Sequence, residues 1–80
     1  MLGGLQIRAA RALLRWSAKQ LAETAKVGVA TVRRFELEDG IPSGNARILD
    51  AIKRTLEDQG IEFIGTPDDG PGVRLRPKQS

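Results

Sequence analysis

Apolar residues recur at helical spacing along most of the chain and change to strict alternation near its end. Between Gly4 and Arg15, the positions Ile7, Ala10 and Leu14 make an inner stripe with Leu13 beside them, which predicts a first helix. Arg11 falls inside that stripe, an odd place for a charge. Ser17 predicts the cap of a second helix, because its hydroxyl can accept from the unpaired amides of a first turn. Leu21, Ala22 and Ala25 give that helix its apolar face, and the period breaks around Lys26, Val27 and Gly28. A third helix is expected from about Val29, with Val32 and Phe35 inward and Arg33 and Arg34 outward. Ala22 matters here, since two helices that cross steeply need a short side chain where they touch. Trp16, the only tryptophan, is expected as a core plug between the first two helices.

After Glu36 the run from Leu37 to Asn45 reads as a loop, signalled by Asp39-Gly40 and Pro42. Ser43 is the expected N-cap of a fourth helix over about Gly44 to Gln59. Its apolar positions Ala46, Ile48, Leu49, Ile52 and Leu56 would close the core, and Gly60 is a natural stop. Beyond it, Ile61 and Phe63 alternate on one short segment and Val73 and Leu75 on another, joined by the turn-rich run from Thr66 to Gly72. These segments predict a β-hairpin, or two strands that pair across subunits. An isolated two-stranded hairpin is barely stable in water, so it must lean on the fourth helix or on another chain. It is either a flap over the core or a dimerisation arm through Ile61, Phe63, Val73 and Leu75. The organisation is therefore a helical domain over residues 1–60 and a strand arm with its tail over residues 61–80.

Eighty residues, 40% of them apolar, suffice for one small core, which a partner subunit would help to stabilise. The net charge of +3 hides a segregation. Through Phe35 there are seven basic residues against Glu23 alone, a balance of +6. From Glu36 to Gly70 there are nine acids against three bases, a balance of −6, and Arg74, Arg76 and Lys78 follow. A basic half that carries an arginine-rich helix, with an acidic half behind it, orients the molecule toward a polyanion.

Ser17 to Glu36, SAKQLAETAKVGVATVRRFE, resembles the helix-turn-helix of the phage-repressor (Xre/Cro-type) family of transcriptional regulators, whose pattern runs roughly SQxxLAxxAGVSxxTIxxxE. Ser17, Leu21, Ala22, Ala25, Val27, Thr31, Val32 and Glu36 stand where that pattern asks for them, and the likeness extends over about Leu5 to Gly60. Three positions depart. Ala18 replaces a glutamine that in the family touches a phosphate. Lys26 stands where a glycine takes positive φ, at a cost of about 1 kcal/mol for a residue with a Cβ. Gly28 replaces the Ser or Thr cap of the recognition helix, a loss of only about a few tenths of a kcal/mol.

The resemblance implies a mainly α fold: a four-helix, repressor-like helix-turn-helix domain followed by the β-hairpin or strand pair. It implies a double-stranded DNA partner, a homodimer on a pseudo-palindromic operator, and the helix from Val29 in the major groove. It turns Val29, Ala30 and Arg34 toward base edges with Arg33 nearby, and places Arg15, Ser17, Lys19, Gly28 and Thr31 along the phosphate backbone. Lysines that many members carry in the loop after the recognition helix are replaced here by Glu38 and Asp39, which repel phosphate. It also pairs Arg11 with Glu36, a partly buried ion pair tying the first helix to the third. The other function class on this fold is a protein-interaction module such as an antiactivator or antitoxin, which would show large apolar groups on the exposed face of the third helix.

No catalytic constellation is visible. Histidine is absent, which removes the commonest general base, so no serine or threonine has a partner to activate it. The glycines after Thr66 do not follow a strand and open a helix, and so form no phosphate loop. No cysteine is present to build a thiolate metal site or a disulfide, which suits a reducing cytoplasm. The start, MLGGLQIR, lacks the apolar run of a signal peptide, and no segment is long enough to span a membrane. The expectation is a cytoplasmic, nucleoid-associated protein of a prokaryote or phage, not an enzyme, with no cofactor, no membrane partner and no small-molecule ligand.

Overall fold

A computed structural model describes residues 2–38 and 46–76. The first helix, α1 (Gly4–Leu14), begins at Gly3, which has no side chain to cap it. Gln6 supplies the missing acceptor: its Oε1 takes the Gly3 N–H at 3.1 Å. The helix ends one residue earlier than its pattern predicts, because Arg15 turns into the left-handed region at φ 58 and ψ 36. There the Trp16 N–H reaches the Arg11 carbonyl at 2.9 Å and the Arg15 N–H reaches that of Ala12 at 3.1 Å, a Schellman closure.

The second helix, α2 (Ala18–Ala25), opens on the expected cap, with Ser17 Oγ accepting from the Gln20 N–H at 3.0 Å. It closes as α1 does. Lys26 adopts φ 61 and ψ 44, and the Val27 N–H donates to the Ala22 carbonyl at 2.9 Å. The third helix, α3 (Val29–Glu36), follows at once, and its extended N-cap Gly28 offers no side-chain hydrogen bond. The fourth, α4 (Ala46–Asp58), is followed by Gly60, whose φ of 99 is costly for any other residue and turns the chain into the strands. The loop expected after Glu38 and the proposed cap Ser43 lie outside the described residues.

Strands β1 (Ile61–Thr66) and β2 (Asp69–Leu75) pair antiparallel within the one chain, Ile61 opposite Leu75 and Phe63 opposite Val73. Asp69 to Gly72, read from sequence as turn, belong to β2, and Pro67 and Asp68 alone close the hairpin. The register slips between Ile64 and Thr66, at Gly65, and that slip brings the early part of β2 alongside β1. Pro71 is tolerated because each strand of a two-stranded sheet has an unpaired edge.

Among the described residues the result is a compact, mainly helical fold of four helices and one two-stranded sheet. Ile7, Leu21, Val32, Phe35, Ile52 and Leu56 are fully buried at its centre, joined by Leu2, Ala10, Ala22, Leu49 and Ile61. Trp16 packs against this core only in part. Two expected core positions are displaced. Leu13 is 43% exposed because it stands off the Ile7–Ala10–Leu14 stripe, and Ala46 is exposed at the first turn of α4. Gly4 marks where α1 meets the end of α3, since a Cβ there would collide with the Phe35 and Glu38 carbonyls.

Gln6 holds the hairpin. Its side chain is buried, and Nε2 donates to the Ile64 carbonyl at 3.0 Å and to the Gly72 carbonyl at 3.1 Å. Both amide hydrogens and the amide oxygen are thereby used, so a buried polar group carries no unmet desolvation cost. The outer face of the hairpin carries Glu62 between Arg76 at 2.7 Å and Arg74 at 3.6 Å, with the exposed Ile64 two residues along β1.

Candidate nucleic-acid interface

Helix α3 is positioned from beneath. Val32, Phe35 and Glu36 face the interior, which leaves Ala30, Arg33 and Arg34 pointing out. Glu36 is buried because Arg11 meets it: Nε donates to Oε2 at 2.7 Å and Nη2 to Oε1 at 2.8 Å. Arg11 Nη1 also donates to the Trp16 carbonyl at 2.9 Å, tying the same guanidinium to the α1–α2 connection. The hydrogen bond to Glu36 pushes the Arg11 guanidinium above its ordinary pKa, against the opposing effect of burial. It is a cation in every accessible solution, as a buried partner of Glu36 must be.

The remaining predicted residues fall into two groups. Ala30, Arg33 and Arg34 share the outward face of α3, and Val29 and Thr31 are half-buried at its margins, Val29 packing against the core. Ser17, Lys19 and Arg15 are exposed around the start of α2, and Gly28 is exposed at the start of α3. A Cβ at Gly28 would meet nothing nearer than Thr31 Oγ1 at 3.7 Å, so its lack of a side chain is not a packing demand. Arg34 rests its guanidinium 5.2 Å from the centre of the Phe35 ring. Of the residues assigned to dimerisation, Ile61 is buried, Phe63 and Val73 are half-buried against the core, and Leu75 is 40% exposed.

Charge pairing divides the chain as its composition does. Among the described residues, Arg8, Arg15, Lys19, Lys26, Arg33 and Arg34 make no ion pair. In the second half Arg54 pairs with Asp50, and Arg74 and Arg76 share Glu62. Apart from Lys53 of α4, the cations without an ion pair among the described residues belong to α1, α2, α3 and their connections.

Leu37 was missed from the sequence. It is 80% exposed, and it continues the helical path of α3 with φ −80 and ψ −12. Its spacing from Ala30, Arg33 and Arg34 was the available signal, but a residue before Glu38-Asp39-Gly40 reads as the first of a loop. A shallow opening of about 350 Å³ lies between Leu2, Ala46, Leu49, Asp50 and Lys53. Among the described residues no helix is long and apolar enough to cross a membrane, and no cluster of His, Cys, Asp or Glu is placed to hold a metal ion.

Comparison with protein-family models, with characterised proteins and with solved structures finds no match to this chain.

Proposed function

We propose that the chain is a sequence-specific, double-stranded DNA-binding transcriptional regulator of the helix-turn-helix type, with α3 as the helix that enters the major groove. The observation that carries this reading is the combination on α3. Its outward positions are a small residue and two arginines, Ala30, Arg33 and Arg34, and neither arginine is neutralised by an acid among the described residues. An unpaired arginine on a helix face offers the fork that guanine O6 and N7 accept, and short neighbours let the helix approach the bases. Arg15, Lys19 and Lys26 on the flanking connections supply charge for phosphate.

An eight-residue helix contacts too few base pairs to specify a site alone, so the regulator acts as a homodimer on two half-sites about 34 Å apart. Leu75, with the half-buried Phe63 and Val73, is the hairpin surface available to a second subunit. Ile61 is committed to the core.

A protein-interaction module is the second reading, and Leu37 is the observation in its favour. One leucine among arginines falls well short of the roughly 300–600 Å² of a typical largest apolar patch. Selection from a random duplex library tests the first reading. A symmetric consensus with half-sites one helical turn apart is the expected outcome, and recovery of unrelated sequences would defeat it. Sedimentation at micromolar concentration tests the dimer, and a strict monomer that binds the selected site would exclude it.

A further inference from the structure

We infer that Leu37 is a base-reading residue that meets a thymine methyl group at the inner or outer end of each half-site. The inference rests on the DNA-binding reading and adds to it a contact that the third helix itself does not contain. Three observations carry it. Leu37 is 80% exposed, whereas the next most exposed large apolar side chains among the described residues, Leu13 and Leu5, stand at 43% and 42%. It retains helical backbone angles after α3 ends, and the Leu37 and Glu38 N–H groups bond back to the Arg34 and Phe35 carbonyls at 3.2 Å each. Its spacing of seven, four and three residues from Ala30, Arg33 and Arg34 therefore places it on their face.

Charge selects the occupant. Among the described residues Arg33 and Arg34 make no ion pair, so whatever covers their face and Leu37 together must offer anionic or acceptor groups beside an apolar point. A second copy of the chain laid on the same face would set arginines against arginines. The DNA major groove presents phosphates, guanine acceptors and the thymine C5-methyl within one surface. From Ala30 to Leu37 the helix rises about 10 Å, or roughly three base-pair steps, so the thymine lies about three pairs from whatever base Ala30 faces.

The test uses the full chain and the duplex obtained by selection, with each thymine replaced in turn by deoxyuridine, which lacks only the methyl group. The unmodified protein should lose roughly three- to fivefold in affinity per half-site at one position, the equivalent of a single buried methyl. Leu37→Ala should bind the thymine and deoxyuridine duplexes equally and melt at the same temperature as the unmodified protein, since four-fifths of its side chain is exposed. Equal discrimination by both proteins at every position, or none by the unmodified protein, would overturn the assignment while leaving Arg34-dependent binding intact. A fall in sedimentation coefficient for Leu37→Ala with thymine discrimination unchanged would give Leu37 to a second subunit and overturn it likewise. Binding of selected and scrambled duplexes with one affinity, insensitive to Arg34→Ala, would remove the DNA-binding reading and the inference together.

Discussion

Arg11 grips Glu36 through two parallel hydrogen bonds of 2.7 and 2.8 Å, and that grip fixes the end of α3 against α1. Glu36 is only 7% exposed, so removing Arg11 strands a carboxylate in the interior. Such a loss costs about 3–5 kcal/mol, a large part of the stability of a domain this size. Arg11→Met should therefore shift the urea midpoint strongly downward. Arg11→Met combined with Glu36→Leu should recover most of it, because both charges leave together. A double variant no more stable than either single one would mean that the pair contributes net stability and not merely a penalty for being broken.

Gln6 makes a different kind of join. It bonds the Gly3 N–H with its oxygen and the Ile64 and Gly72 carbonyls with its nitrogen. Gln6→Glu retains the shape but sets a carboxylate against two carbonyl oxygens, leaving acceptors without donors. The expected cost is about 2–4 kcal/mol, from the penalty per buried unsatisfied group. Hydrogen exchange should locate it, with the amides of β1 and β2 losing protection before those of α2 and α3. Uniform loss of protection would show that the hairpin and the helical core unfold as one unit.

Lys26 and Gly28 bracket the α2–α3 connection with one strained and one uncapped residue. Lys26 holds φ 61, which glycine adopts freely, so Lys26→Gly should stabilise by about 0.5–1 kcal/mol. Gly28→Ser should add a few tenths of a kcal/mol at most, because glycine is already a fair N-cap and the pocket admits a Cβ. Thermal melts of both variants and of the pair check the signs and their additivity. A lower melting temperature for Lys26→Gly would mean that the lysine side chain supplies something its backbone strain conceals.

The sequence was most legible where structure is local. The Ser17 cap and the inward Val32 and Phe35 each follow from residues within four positions of one another, whereas the αL turn at Lys26 was legible only through the family pattern, which has a glycine there. The charge of Arg11 inside an apolar stripe asked for a partner, but only the family resemblance pointed to Glu36 at such a distance. Gln6 gave no such warning. Its partners are backbone carbonyls 58 and 66 residues away, and carbonyls carry no sequence signal. The start of β2 was hidden for a related reason, since Asp-Gly-Pro-Gly describes a turn as well as it describes the opening of an edge strand beside a slipped register. At the candidate interface the outward arginines were legible from periodicity, while Leu37 was obscured by the acids that follow it.

Arg34 and Lys19 should fail in different ways. Both are exposed and neither makes an ion pair among the described residues, so charge alone does not separate them. Position does. Arg34 lies on the outward face of α3 and can offer two donors to one guanine, whereas Lys19 lies in the first turn of α2, where a compact ammonium is placed to serve a phosphate if DNA is bound. Arg34→Ala should cost about 1–3 kcal/mol per subunit at the selected site and relax the guanine preference there. The lower part of that range is expected, because Arg34 gives up its contact 5.2 Å from the Phe35 ring, worth about 0.5–1 kcal/mol, on reaching a base. Lys19→Ala should weaken selected and scrambled duplexes alike and lower the salt slope by about one per subunit. Titration of both variants against both duplexes at several salt concentrations separates the two roles. Equal losses on the two duplexes for Arg34→Ala would make that arginine a phosphate anchor, and sequence reading would then have to come from Arg33 and the apolar positions alone.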